Sequence, residues 1–178
     1  MDAMALTHVH RFTTEQFLAM DGLPERVELI DGVICDMASE YNPHAFAQEA
    51  ILRALLSALP SWHVVAGGSI RVTDSFCPIP DVAVYAADVA HGGIFDGRDV
   101  RLAVEVGLST ASSDRMVKLP AYAAGKVEEV WLVAPDEQRL TLFRVPSDGR
   151  YTEECDLSWP TGLDQAVASL VARLEGPS

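Results

Sequence analysis

Residues 102–125 read LAVEVGLSTASSDRMVKLPAYAAG and join a short apolar segment to an amphipathic one. The apolar residues around Glu105 predict a strand over 100–106, and the later spacing predicts a helix over 113–124. The apolar run that follows, EEVWLV at 128–133, can then return as a second strand parallel to the first. We therefore predict a mixed α/β (α+β) domain with a central mixed β-sheet flanked by helices.

The segments on either side predict the rest of the domain. Asp31-Gly32 within RVELIDGVICDMA is a strong two-residue turn signal, which predicts an N-terminal β-hairpin. Helices are predicted where apolar residues recur at helical spacing, and strands where short apolar runs lie between turn residues. The predicted helices are 13–20, 41–59 and 163–174. The predicted strands lie within 26–30, 33–38, 63–72, 79–87, 128–145 and 151–157. Residues 92–99 are predicted as a loop.

Length and composition predict one globular domain over 1–178, with its core at about 12–145. The chain has 178 residues, of which 49% are hydrophobic and 22% charged. The N-terminus lacks the basic-then-apolar order of a signal peptide, and no apolar run approaches the roughly 18 residues that span a membrane. The three cysteines form no CxxC pair or disulfide framework, and we expect buried thiols. These features predict a cytoplasmic protein.

The formal net charge of −13 limits the choice of partners. An acidic protein is repelled by nucleic-acid phosphates unless it gathers its own cations locally or binds metal ions. Any function on DNA therefore requires either a local cluster of positive side chains or bound metal ions.

Three acids occupy positions where a carboxylate is unusual. Asp81 follows a proline and begins an apolar strand, Glu105 lies within a buried strand, and Glu28 alternates with apolar neighbours in VELI. A buried carboxylate must be paired, protonated or bound to a cation. Taken singly, each acid also has a structural explanation, namely a turn at Asp81, an edge salt bridge at Glu105 and a pair with Arg26 at Glu28.

A lysine on the predicted helix changes the interpretation of these acids. Lys118 lies four residues after Asp114 and four before Tyr122, a spacing that alone indicates a surface ion pair. If the helix folds back across its preceding strand, Lys118 approaches the three acids. Clustered carboxylates favour a hard cation such as Mg²⁺ or Mn²⁺, which polarises phosphoryl oxygens, and a lysine can stabilise the developing charge. The set predicts metal-dependent phosphodiester hydrolysis.

Several segments together resemble a widespread bacterial family of putative restriction endonucleases within the PD-(D/E)XK nuclease superfamily. The similarity covers residues 12–144 and depends on the order of the motifs. The segments are ERVELIDGVICDMA, PHAFAQEAILRALL, PDVAVY, LAVEVGLST, DRMVKLPAYAAGKVEEVWLV and QRLTLFR. The resemblance implies a restriction-endonuclease-like core and a metal-dependent nuclease.

The resemblance also implies roles for individual residues. Asp81 matches the Asp of the PD motif and Glu105 the acid of the next core strand, and both would be metal ligands. Glu28 matches an upstream acid that can complete the metal site. The superfamily usually has its lysine two residues after the second acid, where this chain has Gly107. Lys118 matches a lysine that has moved to the following helix.

Three further residues are implied as supporting groups. Asp114 and Tyr122 share the helix of Lys118 and would support it. His44 matches a recurrent family position at the start of the second helix, where it could orient substrate or a water, although a structural role is equally compatible with that place.

The function predicted from the sequence is a Mg²⁺- or Mn²⁺-dependent endodeoxyribonuclease acting through Glu28, Asp81, Glu105 and Lys118. A homodimer would suit cleavage of both DNA strands, and arginines could form local positive surface near the cleft. The alternatives are a catalytically inactive nuclease fold that binds or regulates, and a hydrolase of small phosphodiesters. The arginines are Arg53, Arg71, Arg98, Arg101 and Arg115.

Overall fold

The computed structural model describes residues 10–24, 26–36, 42–86, 88–89, 94–107 and 113–176, and within 113–116 it describes the backbone alone. Besides two short 3₁₀ helices (Gly97–Asp99 and Pro135–Glu137), these residues form four α-helices and ten strands. They are α1 (Thr14–Leu18), β1 (Val27–Ile30), β2 (Val33–Asp36), α2 (Asn42–Ala58), β3 (His63–Ala66), β4 (Ile70–Arg71), β5 (Val82–Tyr85), β6 (Phe95–Asp96), β7 (Val100–Val106), α3 (Ser113–Ala124), β8 (Glu129–Ala134), β9 (Arg139–Ser147), β10 (Arg150–Ser158) and α4 (Leu163–Leu174).

The centre of the fold is a six-stranded mixed sheet in the order β10-β9-β8-β7-β5-β3. Strands β7 and β8 are parallel, with Glu105 opposite Leu132, and α3 provides the crossover between them. The other neighbouring strands in this sheet are antiparallel. The prediction of a mixed sheet that contains a parallel pair joined by a helix is therefore confirmed.

The two faces of the sheet carry separate apolar layers. Helices α2 and α4 pack on one face, where Leu55, Trp131 and Leu170 are buried together. Helix α3 packs on the other face, where Tyr122 and Val130 belong to a second buried cluster. Because successive strand residues point to opposite faces, Val130 and Trp131 belong to different layers. A side chain on β7 therefore faces either α2 or α3, and Glu105 lies on the side of α3, where it meets Tyr122.

The predicted N-terminal hairpin is present as β1 and β2, with Ile30 opposite Val33. Both turn residues adopt left-handed backbone conformations, with φ of 49° at Asp31 and 76° at Gly32. This is the geometry that favours an Asp-Gly turn. Residues 37–38 of the predicted second strand lie outside the described residues.

The hairpin is attached to the segment that leads into β5. Leu29 and Cys77 exchange backbone hydrogen bonds of 3.2 and 2.9 Å, and the Gly32 N–H donates to the Ser75 carbonyl at 2.8 Å. These bonds align β1 with the segment immediately before Asp81. They bring Glu28, from the first part of the chain, to the edge of the central sheet.

Residues 63–72 differ from the single interrupted strand that the sequence predicts. Gly67 has a φ of 70°, and the chain turns there and leaves the central sheet. β3 stays in the central sheet, whereas β4 pairs in parallel with β6 in a separate two-stranded sheet. Strand β6 lies inside the segment 92–99 that was predicted as a loop, so that prediction is also corrected.

The last two elements, β10 and α4, extend the central sheet and the helical layer on it beyond residue 145. The strand within 151–157 and the helix at 163–174 that the sequence predicts are present. The structure adds that β10 pairs antiparallel with β9 and that α4 packs against α2. The cysteines differ from the expectation of three buried thiols. Cys77 is buried and Cys35 partly so, but Cys155 is exposed on β10. In the described ranges, the helices are too short or too polar to cross a membrane.

Candidate active site

Asp81 and Glu105 come together at one edge of the central sheet, namely the end of the sheet where β5 begins and β7 finishes. β5 and β7 are antiparallel with Val82 opposite Val104, so one further step places Asp81 opposite Glu105. The Val106 N–H donates to Asp81 Oδ2 at 2.6 Å, which fixes the Asp81 carboxylate beside the end of β7. Asp81 is 6% exposed, so its carboxylate is held largely away from solvent.

Helix α3 brings Lys118 between two of the predicted acids. Lys118 Nζ lies 3.0 Å from Glu28 Oε1 and 3.3 Å from Glu105 Oε2. All three side chains are largely withdrawn from solvent, with exposures of 10% for Lys118 and Glu28 and 13% for Glu105. Because the ammonium is held by acids from two distant segments, it has a defined position at the sheet edge.

Tyr122 reaches the same carboxylate from the next turn of α3. Its hydroxyl donates to Glu105 Oε1 at 2.5 Å, and the side chain is buried. Residues four apart share one face of a helix, so Lys118 and Tyr122 approach Glu105 together. Burial, and after it the nearby Glu105 carboxylate, raise the pKa of Tyr122 well above its ordinary value. The tyrosine is thus a neutral donor that orients Glu105.

The protonation of Glu105 is set by opposing influences. The pKa of Glu105 is raised to about 7, chiefly by burial; the Lys118 ammonium acts to lower it, and the charges of Asp81 and Glu28 act to raise it. The hydrogen bond from Tyr122 favours the ionised form and opposes the burial effect. Near neutral pH this carboxyl group is therefore easily protonated, and a cation at the site would compete with its proton.

This raised pKa predicts a pH dependence of folding stability in the metal-free protein. The folded-state pKa of Glu105 lies above its ordinary value of 4.5, so the folded protein binds this proton more tightly than the unfolded chain does. The resulting stabilisation is full below about pH 4.5 and is lost as the pH rises through about 7.

The measurement is urea unfolding of the wild type and of Glu105→Gln between pH 5 and 8 with a chelator present. The unfolding free energy of the wild type, relative to the variant, should fall across this range. A difference that stays constant with pH would contradict the raised pKa.

The N-terminal part of α2 contributes two contacts to Asp81. His44 Nε2 lies 3.2 Å from Asp81 Oδ1, and the Gln48 side-chain amide donates to the Asp81 carbonyl at 2.8 Å. His44 and Gln48 are four residues apart and occupy one helix face. His44 is predicted from the sequence as a site residue and Gln48 is not, although the four-residue spacing places both on one face of α2.

The remaining predicted groups are not seen at the site. The side chains of Asp114 and Arg115 lie outside the described residues. The other four arginines pair with three nearby acids, since Arg71 and Arg98 share Asp96, so most of their charge is offset where they lie. The pairs are Arg53–Glu49, Arg71–Asp96, Arg98–Asp96 and Arg101–Glu128.

The donor set suits a hard cation, although it is not a preformed cage. In the part of the chain that the structure describes, no three His, Cys, Asp or Glu side chains are grouped closely enough to hold an ion by themselves. Mg²⁺, however, uses one or two carboxylates together with water and substrate phosphate. Asp81 and Glu105 supply these carboxylates, and the Glu105 carboxyl group would give up its proton to a cation that binds there. The residues therefore fit Mg²⁺ or Mn²⁺.

The fold and this edge together define a nuclease-like α+β domain. A solved structure of similar fold is described as a putative nuclease belonging to DUF820 from Anabaena variabilis ATCC 29413, with a TM-score of 0.66 and 16% sequence identity. The alignment covers 92% of this chain and 99% of that one. The chain belongs to the Uma2 family, described as "Putative restriction endonuclease", whose pattern matches residues 14–168. No curated protein matches the sequence.

Proposed function

We propose that this protein is a Mg²⁺- or Mn²⁺-dependent endonuclease of the PD-(D/E)XK type that hydrolyses phosphodiester bonds in DNA. Its membership of a restriction-endonuclease family supports the reaction class. The observation that carries the proposal is the meeting of Asp81, Glu105 and Lys118 at one sheet edge, with Lys118 Nζ 3.3 Å from Glu105. Two largely buried acids that can hold a metal ion, with an ammonium beside them, suit metal-dependent phosphodiester hydrolysis.

Each residue has a distinct task in this proposal. Asp81 and Glu105 would hold the ion, and a bound Mg²⁺ or Mn²⁺ would polarise a phosphoryl oxygen and lower the pKa of a neighbouring water. Lys118 presents a fixed positive charge where the phosphate gains negative charge in the transition state. Tyr122 keeps Glu105 in place through its 2.5 Å hydrogen bond. His44 lies 3.2 Å from Asp81 and keeps that carboxylate oriented.

Charge determines how DNA would approach this protein. The chain carries a formal net charge of −13, and the arginine pairs on its surface leave little excess positive charge to attract phosphates. Divalent cations would lower this repulsion, so DNA binding as well as hydrolysis should require them. One site cuts one strand, and we include in the proposal a homodimer that presents two sites to a duplex.

The test is cleavage of supercoiled plasmid by the wild type and Asp81→Asn with Mg²⁺, with Mn²⁺ and with a chelator. Asparagine keeps the size of Asp81 and an oxygen for the Val106 N–H, but it removes the charge that attracts a cation. Wild-type cleavage should need the metal, and the variant should be about 100-fold slower or worse, because a catalytic metal ion supplies several kcal/mol.

The other outcomes separate the alternatives. Cleavage that persists undiminished in Asp81→Asn would identify a contaminating nuclease. Turnover of bis(p-nitrophenyl) phosphate without plasmid cleavage would favour a hydrolase of small phosphodiesters. Metal binding with neither activity would favour a nuclease fold that binds without cutting. Light scattering of the same samples, with and without a DNA duplex, would test the homodimer.

A further inference from the structure

Glu28 has a different set of contacts from the other two acids of the site. Its Oε1 accepts a hydrogen bond from the Ile79 N–H at 2.7 Å and lies 3.0 Å from Lys118 Nζ. Glu28 is 8% exposed, so these contacts are made away from solvent. The same oxygen therefore joins the segment that leads into Asp81 to the lysine of α3.

The position of Glu28 in the fold explains why it makes these contacts. β1 is held against the 75–77 segment by the backbone bonds of Leu29 with Cys77. Glu28 alternates with Leu29 and so points away from the apolar cluster in which Leu29 and Cys77 are buried. This direction aims its carboxylate at the space between the Ile79 backbone and α3.

Among the acids that the structure describes beside Lys118, Glu28 lies closer to its ammonium than Glu105 does. Nζ is 3.0 Å from Glu28 but 3.3 and 3.4 Å from the two oxygens of Glu105. A cation held by Glu105 would repel the ammonium and weaken that half of the pair. Glu28 would then be an acid that keeps Lys118 in place while Glu105 binds the cation.

We propose that Glu28 is a positioning residue that holds the Lys118 ammonium at the active site, and that it is not a metal ligand. This assignment revises the role that the family resemblance implies for Glu28, and its kinetic consequence rests on the proposed nuclease activity. The hairpin of β1 and β2 thereby has a function. Its Glu28 is the anion that holds the lysine of helix α3. The lysine acts from the helix because Gly107 occupies the position where the superfamily usually has it.

The first test measures Mn²⁺ affinity by calorimetry in the wild type, Glu28→Gln and Glu105→Gln. Loss of a ligand should weaken binding more than about tenfold, as expected for Glu105→Gln. Glu28→Gln should change the dissociation constant by less than about threefold, which is under 1 kcal/mol. Glu153→Gln, an exposed acid on β10, is the matched control for the change in charge. A loss in Glu28→Gln as large as that in Glu105→Gln would overturn the proposal.

The second test measures whether Glu28 and Lys118 act as a pair, and it needs neither metal nor activity. Urea unfolding is followed in Glu28→Gln, Lys118→Met and the double variant, with a chelator present. Methionine keeps the length and volume of the lysine stem, so the single variants should remain folded. The double variant should be less destabilised than the sum of the singles, by about tenfold in the unfolding equilibrium constant, or about 1.4 kcal/mol. Additive effects would overturn the proposal even if the wild type binds no metal.

The third test uses the kinetics of cleavage. Glu28→Gln should lower kcat about 10- to 100-fold with little change in KM, and Glu28→Ala should lower it further, because glutamine still offers an oxygen to Lys118. In the Lys118→Met background, Glu28→Gln should have almost no further effect. If Glu28→Gln lowers kcat in the Lys118→Met background as much as it does in the wild type, the proposal is overturned. If the wild type itself cuts no DNA, the proposed function fails, whereas the stability cycle still decides the role of Glu28.

Discussion

Replacing Lys118 by methionine is expected to slow DNA cleavage about 100-fold or more, the usual cost of removing one preorganised donor from a transition state. The ammonium lies within 3.4 Å of both Glu105 oxygens and 3.0 Å of Glu28, so it is already placed before substrate arrives. Mn²⁺ should bind the variant as well as or better than the wild type, because a competing cation has been removed. Plasmid cleavage rates and calorimetry on the same samples give the two measurements.

The second lysine of the chain provides a matched control. Lys126 follows α3 and is exposed, so Lys126→Met removes an equal charge from the surface of the same region. Its cleavage rate should stay close to that of the wild type. Equal losses in the two variants would mean that total charge, and not the position of Lys118, limits the reaction.

A relocated lysine offers a sharper version of this experiment. A Cβ atom added at Gly107 would meet no atom of the described residues within 4 Å, so the position has room for a side chain. Gly107 directly follows β7, and its N–H donates to the Val133 carbonyl at 2.8 Å, so continued strand alternation would place its side chain on the side of Glu105. Gly107→Lys in the Lys118→Met background should restore part of the lost rate. If the cleavage rate does not recover although metal affinity is unchanged, the ammonium is required at the position where Glu28 holds it.

Replacing Glu129 by alanine is expected to destabilise the fold by about 3 kcal/mol, since a buried ion pair would lose one partner. Glu129 is 2% exposed. Its Oε1 accepts from Trp131 Nε1 at 2.6 Å and Arg144 Nε at 3.2 Å, and its Oε2 pairs with Arg173 of α4. Alanine would leave a buried indole N–H and two arginines without this acceptor. The free energy of unfolding in urea is the measurement.

The adjacent glutamate is the control for this stability prediction. Glu128 pairs with Arg101 at 3.3 Å, but its side chain is 48% exposed. Exposed pairs are worth little, and Glu128→Ala should cost less than about 1 kcal/mol. A similar cost in both variants would contradict the importance of burial at Glu129. Because Glu129 is not at the sheet edge that holds Asp81, metal affinity should be unchanged in its variant.

Most of the elements could be predicted because their signals are local. The strand at 100–106 and the helix at 113–124 have the predicted bounds, and the Asp31-Gly32 turn has the backbone that its residues favour. The prediction of a single strand over 63–72 is wrong for a physical reason. The pairing of β4 with β6 joins segments more than 20 residues apart, and no periodicity within either segment indicates that partner.

The sequence by itself determined the class of fold, the order of the elements and the identity of the residues with unusual charge. Only the tertiary structure decided how those charges are distributed. Glu28 and Lys118 are 90 residues apart, yet they lie 3.0 Å from each other, because β1 pairs with the segment before Asp81 and α3 packs on the sheet face that carries Glu105. Local sequence specifies how a segment folds and which face is apolar. The partner of a carboxylate depends on which segments that packing brings together.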